Sequence, residues 1–191
     1  MSSFSPVSCM VELYHRQMIT SPKTGQKFYF FNGITEKLIK EVLYYSTNDE
    51  SVVAFTSDSK RFKDRVAYDE WIKKGKTVYT LVDTQEKLAG LIWFNKKPLQ
   101  FESINSLDYD TTGAIRTYGT ARGAGVSKLF LTEALSIYKK TIEYRTSGKG
   151  IWLETSVENL PAIKLYTECD FRRLGLNLKN GKEIYIKDFL Q

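Results

Sequence analysis

The segment Thr117-Tyr118-Gly119-Thr120-Ala121-Arg122-Gly123-Ala124-Gly125-Val126-Ser127 concentrates the residue types best suited to hold an anion. It lies between a β-rich run at 114–118 and the strongest helical pattern of the chain. At such a junction the unpaired N–H groups of a helix N-terminus converge with the positive end of its dipole, so the place favours anions by construction. Gly123 and Gly125 let the backbone turn sharply and approach a phosphate, and Arg122 adds a charged fork from the side. A pyrophosphate suits the arrangement; a tight turn that holds nothing suits the same residues. Spacing excludes two nucleotide loops. A P-loop begun at Gly119 needs glycine where Ala124 stands, and a dinucleotide fingerprint begun at Gly123 needs glycine where Lys128 stands.

The elements that must position this turn can be read from periodicity. Runs at 11–19 and 27–31 read as strands joined by a turn at 21–25, forming a hairpin. Thr35 is an N-cap for a helix carrying Leu38, Ile39, Val42 and Leu43, which polar residues 46–51 end. A second helix is expected over about 59–74 with Phe62, Val66 and Trp71 inward, stopped by Gly75. Runs at 78–82 and 88–94 form an antiparallel pair, and Pro98 closes the second. Beyond the Gly-rich turn, Val126, Leu129, Phe130, Ala134, Ile137 and Tyr138 make one apolar helical stripe. A strand at 151–155, a helix at 161–169 opened by Asn159, and a hairpin of 171–175 with 183–189 complete the chain, Asn180-Gly181 giving a two-residue turn. The order predicts a mixed α/β layout with one central sheet.

Composition removes several chemistries. Cys9, Cys169 and a single histidine, His15, are too few for a disulfide framework or a zinc site, so no metal is expected and a reducing compartment is. One histidine also leaves the commonest general base in short supply; His15 reads as a satisfied strand residue. The net charge of +6 comes from cations scattered along the chain rather than massed in runs, so nucleic acid is not an expected partner. No apolar run approaches the roughly 20 residues of a membrane-spanning helix, and the first residues lack a signal-peptide pattern. A cytoplasmic protein of one domain spanning 1–191, monomeric or homodimeric, is expected.

The Gly-rich turn resembles the coenzyme A signature of the GNAT acetyltransferase superfamily, which has Arg or Gln, two residues, Gly, one residue, then Gly or Ala. Arg122 and Gly125 match it, and small Ser127 takes the last place. A second segment, Asn159-Leu160-Pro161-Ala162-Ile163-Lys164-Leu165-Tyr166-Thr167-Glu168-Cys169-Asp170-Phe171, is similar to the other hallmark of that superfamily, with Asp170 where glycine is usual. Asp tolerates the left-handed helix end such a position requires.

The resemblance implies a GNAT-like mixed central sheet with helices on both faces, acetyl-CoA as acyl donor and a primary amine as acceptor. It implies a strand before the turn that splays from the strand at 151–155, leaving a cleft for the pantetheine arm. Thr117, Tyr118 and Gly119 would bond that arm, and Arg122, Gly123, Ala124, Gly125, Val126 and Ser127 would hold the pyrophosphate. Asn159 would touch the donor from the next loop. Tyr166 would protonate the departing thiolate. Glu154 is the candidate base, with Glu102, Asp108 and Asp110 as alternatives and a water relay as another. Tyr79, Trp93 and Phe94 are candidates for the acceptor groove. A catalytically silent module that binds acyl-CoA or a protein partner is the competing expectation.

Overall fold

The computed structural model describes residues 17–102, 104–141, 144, 146 and 148–189. Residues 11–16 of the first expected strand, with His15, and Cys9 lie outside them. The chain builds one sheet of eight strands from β1 Gln17–Thr20, β2 Lys27–Asn32, β3 Thr77–Asp83, β4 Leu88–Lys96, β5 Thr111–Thr117, β6 Gly150–Ser156, β7 Arg172–Asn177 and β8 Lys182–Asp188. Their order across the sheet is β1-β2-β3-β4-β5-β6-β8-β7. Every neighbouring pair is antiparallel except β5 and β6. None of the described helices is long and apolar enough to cross a membrane.

Helices cover both faces because strand alternation sends apolar side chains both ways. On one face Phe30, Tyr79, Ile92 and Phe94 pack under Phe130, Ala134 and Tyr138 of α5 Ser127–Tyr138. On the other, Val78, Leu91 and Trp93 meet Leu38, Val42, Phe62 and Trp71. Tyr79 and Phe94 are therefore core residues under α5, and of the three aromatics expected at the acceptor groove only Trp93 reaches the cavity.

The N-terminal helices depart from the periodicity reading. Thr35 caps α1 Glu36–Asn48 as expected, accepting from the Leu38 amide. The helix runs on through Ser46, whose hydroxyl donates to the carbonyls of Leu43 and Phe62 and so needs no solvent. Asp49 then ends α1 and caps α2 Glu50–Phe55, a helix absent from the sequence reading. The single helix expected over 59–74 is two, α3 Asp58–Arg61 and α4 Arg65–Ile72, because Asp64 caps α4 through the Ala67 amide at 2.8 Å. The break rotates the inner face: Tyr68 is buried and Val66 is exposed.

In α5 the buried stripe is Phe130, Leu131, Ala134, Leu135 and Tyr138, while Leu129 turns outward. The last hairpin closes through four residues, 178–181, instead of two, with the Gly181 amide bonded to the Asn177 carbonyl at 2.8 Å and φ of 68°. Asp170 has φ of 60°, the left-handed helix end its place in the motif required.

Candidate active site

Strands β5 and β6 are paired only at Thr111 with Ile151 and Thr112 with Trp152. Thr112 Oγ1 donates to the Trp152 carbonyl at 2.9 Å, and beyond that bond the two strands part. A parallel pair pulled apart leaves backbone N–H and C=O groups facing a gap, which is where a ligand chain can bond. The gap opens into a cavity of about 630 Å³, bounded by β4, β5, β6 and residues of α2 through α4.

At one end of the cavity stands the Gly-rich turn. After β5 the chain makes a single 3-10 turn, Gly119–Ala121, and re-enters helix at Ser127. Gly123 and Gly125 have φ of 75° and 73°, conformations in which a side chain is strained. Thr35, Asp49, Asp64 and Asn159 each accept a backbone N–H at the start of their helices, whereas α5 has no side-chain cap. Its first amides, without a side-chain cap, are the kind of group that favours an anion. Thr117, Arg122, Gly123 and Ser127 line the cavity.

Other residues of the turn serve as its footing. Tyr118 is buried on the far side, stacked on Tyr45 at 4.7 Å between ring centroids, and Val126 is fully buried. The Ala124 carbonyl accepts the Ser21 hydroxyl at 2.6 Å, which ties the turn to the β1–β2 hairpin. Gly119 and Gly125 stand outside the cavity wall, and the side chain of Lys23 lies against Gly125. Arg122 is anchored: its Nε donates to the Thr117 carbonyl at 3.0 Å and its Nη2 to Asp49 Oδ1 at 2.7 Å.

The opposite wall comes from β6 and from α6, Leu160–Glu168. Asn159 caps α6 through the Ala162 amide at 3.3 Å, as expected, and also lines the cavity. Tyr166 lies one helical stretch on, 4% exposed, its ring against Phe171 and Tyr185. Burial pushes its phenol up to about 12, against the opposing pull of the Arg116 charge. The hydroxyl is therefore protonated at neutral pH and able to donate.

Strand alternation puts Glu154 into the cavity with Trp152 two residues before it. Its carboxylate accepts from Asn180 Nδ2 at 3.1 Å and faces Lys182 Nζ at 3.3 Å. The other acidic candidates point elsewhere: Asp110 pairs with Lys96, Asp108 pairs with Lys149, and neither they nor Glu102 line the cavity.

No family profile and no curated protein matches this sequence. Solved structures do match in shape. A spermidine N-acetyltransferase from Vibrio cholerae, in complex with CoA and spermine, superposes with a TM-score of 0.62 over 85% of this chain and 95% of its own, at 19% identity. The GNAT domain of S. lividans PAT gives 0.66 over 91% and 97%, at 11% identity. An aminoglycoside acetyltransferase in complex with coenzyme A gives 0.63 over 83% and 94%, at 13% identity. This chain has the GNAT fold. At such identities the likeness is one of architecture, and what the GNAT fold does here rests on the residues in the cleft.

One group at the wall of the cleft of this GNAT fold, held by a carboxylate behind it, escaped the sequence reading. Asp58, completely buried at the start of α3, accepts from Arg116 Nε at 2.6 Å and Nη2 at 3.0 Å, and also pairs with Arg61. Both guanidinium groups stand over the Trp93 ring, Arg116 at 5.0 Å and Arg61 at 5.4 Å from its centroid. The available signal was an arginine inside a strand beside the Gly-rich turn, at a position on the same strand face as cavity-lining Thr112 and Ala114.

Proposed function

We propose that this protein transfers an acetyl group from acetyl-CoA to a primary amine. The observation that carries the reading is the parting of β5 and β6 into a cavity with an uncapped, Gly-led helix start at one end and a protonated tyrosine in its wall. These are the three requirements of a thioester acyl donor: an anion seat for pyrophosphate, free strand edges for an amide-bearing arm, and a hydroxyl near the sulfur. The fold shared with structures that contain CoA supports the same assignment of the cleft.

In this reading Thr117 and its neighbours offer backbone bonds to the pantetheine arm, and the amides from Gly123 to Ser127 receive the pyrophosphate. Tyr118, Ala124 and Val126 act from beneath by fixing the shape of the turn. The neutral amine attacks the thioester carbonyl, giving a tetrahedral centre; collapse of that centre breaks the C–S bond, and the electron pair leaves on sulfur. Tyr166 donates its hydroxyl proton toward that sulfur. Glu154 is the carboxylate in the cavity wall and receives the proton that the amine loses, directly or through a water.

Isothermal titration with acetyl-CoA should give saturable binding, and thiol release should follow when a reactive amine is added. Absence of binding to any acyl-CoA would overturn the assignment. Binding without thiol release from a broad amine panel would instead favour a silent acyl-CoA module.

A further inference from the structure

The cavity is strongly cationic: Arg61, Lys76, Lys97, Arg116 and Lys182 all line it, and it continues past the strand fork, away from the Gly-rich turn, to Lys76 and Lys97. Among the described residues two carboxylates answer these five cations: Asp58 binds Arg61 and Arg116, and Glu154 binds Lys182. Lys76 and Lys97 are left to other influences. Burial lowers the Lys76 pKa, followed by the charges of Arg61, Lys74 and Lys97, all of them cations. Lys97 lies over the Trp152 ring with its Nζ 5.1 Å from the centroid.

Position along the sheet separates these lysines from the pyrophosphate seat. Gly90 of β4 is paired with Thr117, at the mouth of the Gly-rich turn. Lys97 stands seven residues further along the same strand direction, about 23 Å at the usual rise per residue. Lys76 immediately precedes Thr77, the partner of Phe94, so it too lies toward that far end. Trp93 and Trp71 lie between the two ends and Trp152 stands at the far one, its indole N–H donating to the Lys97 carbonyl at 2.8 Å; together they give the passage a flat apolar lining.

Resting on the acetyl-transfer reading above, we infer that the acceptor is an amine that also carries an oxyanion, a carboxylate or a phosphate, seated on Lys76 and Lys97 at the end of the cavity opposite the Gly-rich turn. A polycation would meet like charges in a partly desolvated space, where repulsion is least screened. An acceptor with one anionic arm gains charge-assisted hydrogen bonds there instead. The same cationic wall lowers the pKa of an ammonium brought near it, which favours the neutral amine that attack requires. The spermidine and aminoglycoside acetyltransferases that share the fold are named for polycationic acceptors; this cavity has the opposite preference.

The test is thiol release from acetyl-CoA with matched acceptors: tyrosine against tyramine, 2-aminoethyl phosphate against ethanolamine, and spermidine and kanamycin as polycations. The anionic member of at least one pair should exceed its neutral or cationic match by tenfold or more in kcat/KM, and which pair responds distinguishes carboxylate from phosphate. The double variant Lys76→Met/Lys97→Met should raise KM for that anionic amine about ten- to hundredfold, the scale of losing hydrogen bonds to a charged group, with the acetyl-CoA Kd unchanged. Preference for spermidine or kanamycin, or an equal rise in KM for every amine, would overturn the inference while leaving acetyl transfer intact. If acetyl-CoA itself fails to bind in the titration, the underlying reading falls and this inference falls with it. Should acetyl-CoA bind but no amine of the panel react, saturable tryptophan quenching by tyrosine or 2-aminoethyl phosphate that the lysine variants abolish supports the anionic seat. No quenching overturns it.

Discussion

Asp58 accepts two hydrogen bonds from one guanidinium, at 2.6 Å from Nε and 3.0 Å from Nη2 of Arg116, across 58 residues of sequence and with Asp58 completely buried. This pair joins the short helix α3 to the middle strand beside the fork, and so it fixes the helical cover relative to the cavity. Replacing Asp58 by Asn would leave Arg116 with an uncompensated charge in a largely buried place. A loss of about 3–5 kcal/mol is expected for breaking such a pair from one side. Urea denaturation should show it as a lower midpoint, and the double variant Asp58→Asn/Arg116→Met should recover part of the loss.

Tyr166→Phe removes the hydroxyl but keeps the ring contacts with Phe171 and Tyr185. Steady-state assays should show kcat lowered by about 10²-fold or more, the scale of a lost general acid, while the acetyl-CoA Kd stays within a fewfold. An unchanged kcat would remove Tyr166 from the chemistry.

The same residue makes an alkaline stability prediction. Its folded pKa, about 12, lies above the unfolded value near 10, so its contribution to stability is whole below pH 10 and is lost as pH rises toward 12. The loss is about 2–3 kcal/mol for a shift of that size. Denaturation curves at pH 9 and pH 11 should converge for Tyr166→Phe relative to wild type; equal sensitivity in both proteins would contradict the assignment.

Glu154→Gln should lower kcat by tenfold or more and leave acetyl-CoA binding intact, if the carboxylate takes the proton of the amine. Its neighbours Asn180 and Lys182 can still bond a neutral amide, so the fold should tolerate the change. Full activity in this variant would assign the proton to water.

Gly125→Val places a β-branched residue at φ of 73° with Lys23 only 3.1 Å from its new Cβ. The turn must distort, and its amides with it. Calorimetric affinity for acetyl-CoA should fall by tenfold or more. The milder Gly123→Ala, at φ of 75° with open space around it, should cost about 1–2 kcal/mol of stability through backbone strain alone.

Much of this arrangement was legible in the linear chain because it depends on short-range chemistry. Glycines at 123 and 125, arginine at 122 and an amphipathic run after them specify a strand-to-helix turn, since only glycine enters φ near +75° without strain. Asn159 and Asp170 likewise mark the two ends of one helix through local backbone bonding and a left-handed exit. The α1–α4 region was less legible. The Asp64 cap splits what periodicity alone read as one helix over about 59–74, and the Asp49 cap starts a helix where only the end of one was expected, because each side chain satisfies a free amide at a new helix start.

By itself the sequence determined the strands and their order, the helices α5 and α6 and the Gly-rich turn, all set within a few residues of one another. Tertiary structure decided the rest. Which carboxylate faces the cavity depended on the pairing of β6 with β8, because a register shift of one residue would have turned Glu154 to the other face. Which arginine lies over Trp93, and that Lys76 and Lys97 share one end of a cavity, depended on α3, β3 and β4 meeting across the sheet. Charges so far apart in the chain acquire a common field only when folding removes the water between them.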